Sequence, residues 1–161
     1  MIETIPMEGM KVSGDLVRVY VVDASLTEEF LMRFIRGLAE NRINMTLFIG
    51  EEGSGGIHFT CCVAAQDGER VKMMTDPIPD LKACVKSSAP VDLLSVFPHR
   101  FNLKALGLSL MALGKAKIPF HGFCSSLSAL TFITDHTDLD QTSAVLQESF
   151  SLHADPSRSV C

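Results

Sequence analysis

A shift of 75 positions lays one half of this chain over the other. Arg42-Ile43 falls on Lys117-Ile118, Val19 and Val21 on Leu94 and Val96, Leu38 on Leu113, and Ser13 on Ser88. The matched stretches are residues 16–65 and 91–135. The shift shrinks at their ends because Gly50-Glu51-Glu52-Gly53-Ser54-Gly55-Gly56 makes a longer turn than Cys124-Ser125-Ser126. A repeat of this length copies a whole subdomain, not a solenoid unit. The expected ligand site of such a duplicated fold lies between its copies.

The 161 residues suffice for one ordinary domain or two small ones, and 47% hydrophobic content supports a core in each. A net charge of −5 without a Lys/Arg cluster, no Trp and a single Tyr argue against nucleic acid or an anionic membrane as partner. No apolar run approaches the roughly 20 residues of a membrane span, and Met1-Ile2-Glu3-Thr4-Ile5 lacks the pattern of a signal peptide. Five cysteines without CxxC spacing read as free thiols in a reducing cytoplasm.

Residues 1–8 read as a loose arm, Met10–Ser13 as a short extended piece and Gly14-Asp15 as a turn. Leu16–Val22 alternates as a strand does. Ser25 or Thr27 caps a helix that runs to about Asn41. Its apolar stripe is Phe30, Leu31, Phe34, Ile35 and Leu38, and Arg33, Arg36 and Glu40 take the opposite face. Met45–Ile49 and Ile57–Ala64 form a hairpin, and Asp67–Met74 a short helix. Asp76-Pro77-Ile78-Pro79-Asp80 breaks the chain, which divides it into units of 9–80 and 81–154. In the second unit Leu81–Lys86 is extended and Val91–Phe97 is a strand. Asn102 caps a helix over Leu103–Lys115, Phe120–Ser125 and Ser128–Thr134 pair, and Asp138 or Thr137 caps a last helix. That second long helix is apolar nearly all round, with Leu103, Leu106, Leu110 and Leu113 as its main stripe, so it is expected to be covered on more than one side. The order predicts an α+β fold of two ferredoxin-like units, each an antiparallel sheet with helices on one face.

Within this frame Arg42-Ile43-Asn44-Met45-Thr46-Leu47-Phe48-Ile49 and Ile57-His58-Phe59-Thr60 resemble the helix-to-strand and returning-strand segments of the tandem ACT regulatory region of aspartate kinases. Cys124-Ser125-Ser126-Leu127-Ser128-Ala129-Leu130-Thr131 and Ile133-Thr134-Asp135 resemble the corresponding hairpin of its second copy. The resemblance covers residues 9 to 152 and includes no kinase domain. It implies a free-standing, non-enzymatic regulatory module that binds a small amino-acid effector between ACT units. The expected partners are a second copy, as a homodimer, and an allosterically regulated biosynthetic enzyme or other protein in trans. No cofactor is implied. The site residues it points to are Ser25, Thr27, Asn44 and Met45 in the first copy and Arg100, Asn102, Ser125 and Ser126 in the second. The family's Pro-Gly at the start of the long helix is Glu28-Glu29 here and Leu103-Lys104 in the second copy. That departure keeps a second reading open: a module that binds no ligand and serves oligomerisation or docking.

Other chemistry is thinner. His58, Cys61 and Cys62, or His121 and Cys124, fall short of the four converging ligands of a zinc site. Catalysis by Cys124 needs a turn or bulge to bring it to His121. The Gly-rich turn after Glu51-Glu52 lacks the Gly-Lys-Ser/Thr of a phosphate loop. Asp135, His136, Asp138 and Asp140 read as a solvated helix start, not a cation site.

Overall fold

The computed structural model describes residues 5–21, 27–53, 56–97 and 102–152, with the backbone alone at 151 and 152. In chain order its elements are β1 (Ile5–Met7), β2 (Gly9–Val21), α1 (Glu28–Glu40), β3 (Met45–Gly53), β4 (Gly56–Ala64), α2 (Gly68–Thr75) and α3 (Pro79–Cys84). There follow β5 (Val85–Phe97), α4 (Leu103–Ala116), β6 (Gly122–Ser125), β7 (Leu130–Asp135), α5 (Leu139–Ser149) and β8 (Phe150–Leu152). Six strands form an antiparallel sheet in the order β3-β4-β2-β5-β7-β6, and β1 pairs with β8 in parallel.

The compact units are not the linear halves 9–80 and 81–154. One is Asp15–Val91; the other joins the residues up to Gly14 to those from Asp92 onward. The cause is that β2 and β5 are each continuous through positions where the sequence suggested breaks. Gly14-Asp15 is no turn. Asp15 takes φ 56°, a conformation that a short polar side chain tolerates, and the strand runs on. Residues 9–14 therefore belong with the C-terminal unit, and residues 85–91 with the other. The core of Asp15–Val91 holds Val19, Phe34, Leu38, Cys61 and Val63; that of the second unit holds Leu94, Val96, Leu113, Phe132 and Leu146.

Three further expectations are corrected. Residues 5–7 of the expected arm are not loose: Ile5 and Met7 are buried and pair with Phe150 and Leu152, while residues 1–4 lie outside the described residues. Of Leu81–Lys86 only Val85 and Lys86 are extended; Leu81–Cys84 are helical, because Pro79 sits at the first helical position of α3, where its missing N–H costs nothing. In α4 the buried line is Ala105, Ser109 and Leu113; of the expected leucine stripe only Leu113 is on it, Leu106 and Leu110 are half-buried against the core, and Leu103 is 78% exposed. Small side chains at positions 105 and 109 let that helix sit close on its sheet and centre its buried face, with Leu103 outside it.

α1 follows the sequence closely. Thr27 Oγ1 accepts from Phe30 N–H at 3.4 Å, and Phe30, Phe34 and Leu38 are buried. Its exit is duplicated. Arg42 (φ 53°) donates its N–H to Ala39 O at 3.0 Å, and Ile43 donates to Leu38 O at 2.9 Å. Lys117 (φ 56°) donates to Gly114 O at 3.2 Å, and Ile118 to Leu113 O at 3.0 Å. Both are Schellman endings whose left-handed residue is a long cation in place of glycine. Arg42→Gly and Lys117→Gly are each expected to raise unfolding free energy by about 1 kcal/mol, and Arg42→Val to lower it, in urea titrations. Equal stability of all three variants would show that neither backbone is strained.

Candidate functional site

The first turn of α1 faces α3 across a cleft of about 390 Å³. Phe30, Ala83 and Cys84 give its apolar lining, and Thr27, Glu29, Arg33 and Asp80 its polar one. The helix places Glu29 and Arg33 one turn apart, and they pair at 3.1 Å (Oε1 to Nη2). Arg33 Nη1 lies 4.0 Å from Asp80 Oδ2 on α3. One guanidinium thus stands between two carboxylates, all three largely solvated, so these pairs add little to stability and can be exchanged for a ligand's charges. A volume near 400 Å³ is at the small end of ligand sites.

On the other side of the α1 start lies a second open cleft of about 410 Å³, whose walls include Thr27, Leu31, Phe48 and Ile57, with Glu28, Glu51 and Glu52 around it. Three carboxylates and the absence of a lining cation make it hostile to an anion. The expected mouth of the first copy is therefore acidic on the hairpin side and of mixed charge on the α3 side.

Of the expected site residues, Thr27 lines both clefts. Asn44 and Met45, exposed at the start of β3, stand at the opposite end of α1, about 20 Å away for a helix of this length. Asn102 caps α4, its Oδ1 accepting from Lys104 and Ala105 N–H at 3.0 and 3.3 Å. Ser125 ends β6. Ser126 holds the β6–β7 turn, its Oγ 3.1 Å from both the N–H and the carbonyl of Ala129. Ser25, Arg100, the hairpin tip at Ser54-Gly55 and the tail beyond Leu152 lie outside the described residues. Sequence reasoning placed Arg33 only on a polar helix face and Asp80 only in a proline-rich break. The Glu29–Arg33 spacing was a visible signal; the partnership with Asp80 needed the fold of α3.

Cys84 lines this cleft, whereas Cys61, Cys62, Cys124, His121 and His136 are engaged elsewhere. Burial pushes the Cys61 thiol up to about 12, with the neighbouring Cys62 charge adding to it. Burial pushes Cys62 up to about 11, against a lowering pull from Arg18. Such thiols are poor nucleophiles at neutral pH. His121 Nε2 lies 2.8 Å from Asp135 Oδ1, away from Cys124, which pairs with Thr131 across the ladder. His136 Nδ1 lies 2.8 Å from Oδ2 of the buried Asp92. Asp135 and His136 thus engage separate partners. Among the described residues no three His, Cys, Asp or Glu side chains group to hold a metal, and no helix is long and apolar enough to cross a membrane.

No protein-family model matches the sequence, and no curated protein does. Solved structures do match the fold. One, of aspartokinase alpha and beta subunits, has a TM-score of 0.80 at 15% identity, over 91% of this chain and 99% of that one. The ligand-free regulatory subunit of aspartate kinase from Thermus thermophilus gives 0.79 at 10% identity, over 90% and 99%. This is the fold of the aspartate kinase regulatory region. Against the aspartate kinase of Synechocystis the TM-score is 0.80 at 14% identity, over 99% of this chain but 29% of that one. The aspartate kinase regulatory fold accounts for the duplicated helix–strand–strand order seen in both units.

Proposed function

We propose that this chain is a non-catalytic regulatory module that binds a small α-amino acid in the cleft between α1 and α3 and acts on an enzyme of amino-acid biosynthesis, or another partner, in trans. The observation that carries this reading is Arg33 between Glu29 and Asp80 on the rim of that cleft. An amino-acid zwitterion complements the trio: its carboxylate takes the guanidinium and its ammonium takes Asp80 or Glu29. The apolar lining of Phe30, Ala83 and Cys84 suits a short side chain. The likeness to aspartate kinase regulatory subunits supports the regulatory role. The mouth of the second unit, at Asn102, is the proposed place for a second molecule.

A thermal-shift screen of the twenty amino acids, with hits titrated by calorimetry, tests it. A ligand at a hundred times its Kd adds about 2.7 kcal/mol to the native state. Arg33→Ala is expected to abolish the shift and Asp80→Asn to weaken it at least tenfold, while Asn44→Ala leaves it unchanged. Absence of binding at millimolar concentration rejects this reading.

A second reading, a module that binds no effector and serves oligomerisation or docking, is favoured by the carboxylates Glu28 and Glu29 in the first turn of α1 and by the filled cap at Asn102. It predicts no shift with any amino acid and a Tm that depends on partner concentration.

A further inference from the structure

The six-stranded sheet ends in two edges of unequal kind. β6 has four residues, and so short a strand gives another chain little to pair with. β3 has nine, without the lysine or proline that commonly blunts an edge. Its register against β4 shifts between Met45 and Leu47 and is then regular to Gly53. Along Leu47–Gly53, among the described residues, no strand pairs on the outer side.

Beside this run lies the acidic cleft of about 410 Å³. Phe48, Gly50 and Glu52 alternate onto one face of the strand, and Glu51 onto the other. Phe48 is 37% exposed. Its ring lies across Gly50, where a Cβ would come within 2.9 Å of its Cε1, and stacks on Phe59. Leu31 and Ile57 complete the apolar lining; Glu28, Glu51 and Glu52 are all exposed, and no lining residue is a cation. We infer that Leu47–Gly53 is a docking edge for an extended basic segment of another protein, which pairs with β3 as an added strand and sets lysine or arginine side chains against these carboxylates. Backbone pairing supplies the affinity, and the charges select the partner. A cation on the Phe48 side also meets an aromatic face. An acidic segment is repelled, and a second copy laid edge to edge would bring its own three glutamates to the same place. A small polycation would use the carboxylates but leave the strand edge unpaired. The inference uses none of Glu29, Arg33 and Asp80 and is independent of the effector site.

The probe is a short fluorescein-labelled peptide of Lys-Lys-Val-Val repeats, which presents lysine on both faces of an extended strand. It is titrated against the full chain by fluorescence anisotropy in low salt, with circular dichroism to confirm the folding of each variant. Binding is expected in the micromolar range. Glu28→Lys and Glu52→Lys should each weaken it at least tenfold, since like charges then meet. Glu148→Lys on α5, an equal change of net charge, should leave it unchanged. Methylating alternate peptide nitrogens removes the pairing N–H groups and should also cost at least tenfold. Hydrogen exchange at Leu47–Gly53 should slow when the peptide binds. No binding at millimolar peptide overturns the inference, as do glutamate variants that bind like wild type. Equal binding of the methylated peptide, or of spermine, overturns it in favour of a site for small polycations. Protection of Leu47–Gly53 that rises with protein concentration, without peptide, overturns it in favour of a second copy.

Discussion

Between pH 9 and pH 12 the fold is expected to lose about 4 kcal/mol of stability through Cys61 alone, at roughly 1.4 kcal/mol for each unit of its displacement from 9.0 to about 12. The cause is burial in the apolar core beside Val19 and Val63, with the adjacent Cys62 adding a smaller repulsion. The sign follows from proton counts. Above pH 9 the unfolded chain releases the thiol proton while the native protein keeps it, so stability falls as pH rises toward the native value. Below pH 9 both states hold the proton and the contribution is complete. Cys62, pushed up to about 11, steepens the same limb. Urea midpoints from pH 8 to pH 11.5 measure the effect. Cys61→Ala should begin less stable, from lost packing, yet fall less steeply. Parallel curves for variant and wild type would mean that the thiol ionises in the native state without penalty.

Phe34→Ala is expected to cost about 3–5 kcal/mol, the range for removing a buried aromatic ring and leaving its cavity. Phe34 has no exposed surface, and its ring centroid lies 4.9 Å from that of Phe59, which stacks in turn at 5.8 Å on Phe48 of the edge strand β3. The chain of rings ties α1 to the middle and the edge of its sheet. A loss this large is a sizeable part of the 5–15 kcal/mol of an ordinary domain, so the variant should unfold at markedly lower urea, and the α1–α3 cleft should loosen with it. A change below 1 kcal/mol would show that the ring is replaceable packing.

Much of this architecture was readable from residue order. Capping by Thr27 and Asn102, the stripe of α1 and the hairpins follow from short-range rules, and the repeated Arg42-Ile43 and Lys117-Ile118 mark the two helix endings. What escaped depended on long-range partners. Nothing near Ile5 says that its strand partner is Phe150. Nothing near Gly14-Asp15 says that the strand continues, because two turn-forming residues outweigh a pattern of alternation that only the finished sheet completes. Leu103 misled for a related reason: hydrophobicity marks what gains from burial, but Ala105 and Ser109 are small enough to approach the sheet and centre the buried face beside Leu113. At the candidate site, Thr27 was legible as a cap, whereas Arg33 and Asp80 are neighbours only because Pro79 starts a helix.

The passage of β2 and β5 through both units bears on synthesis at the ribosome. Residues 15–91 emerge as an uninterrupted stretch and can close their own core before the rest is made. Residues 5–14 are made before that stretch yet must wait for Asp92–Phe97, and finally for Phe150–Leu152, with Ile5 and Met7 open to solvent meanwhile. The nascent chain thus carries an unsatisfied strand until Phe150–Leu152 are made. Slow translation of the C-terminal half would prolong that exposure and give a chaperone that grips extended apolar segments a natural place to bind.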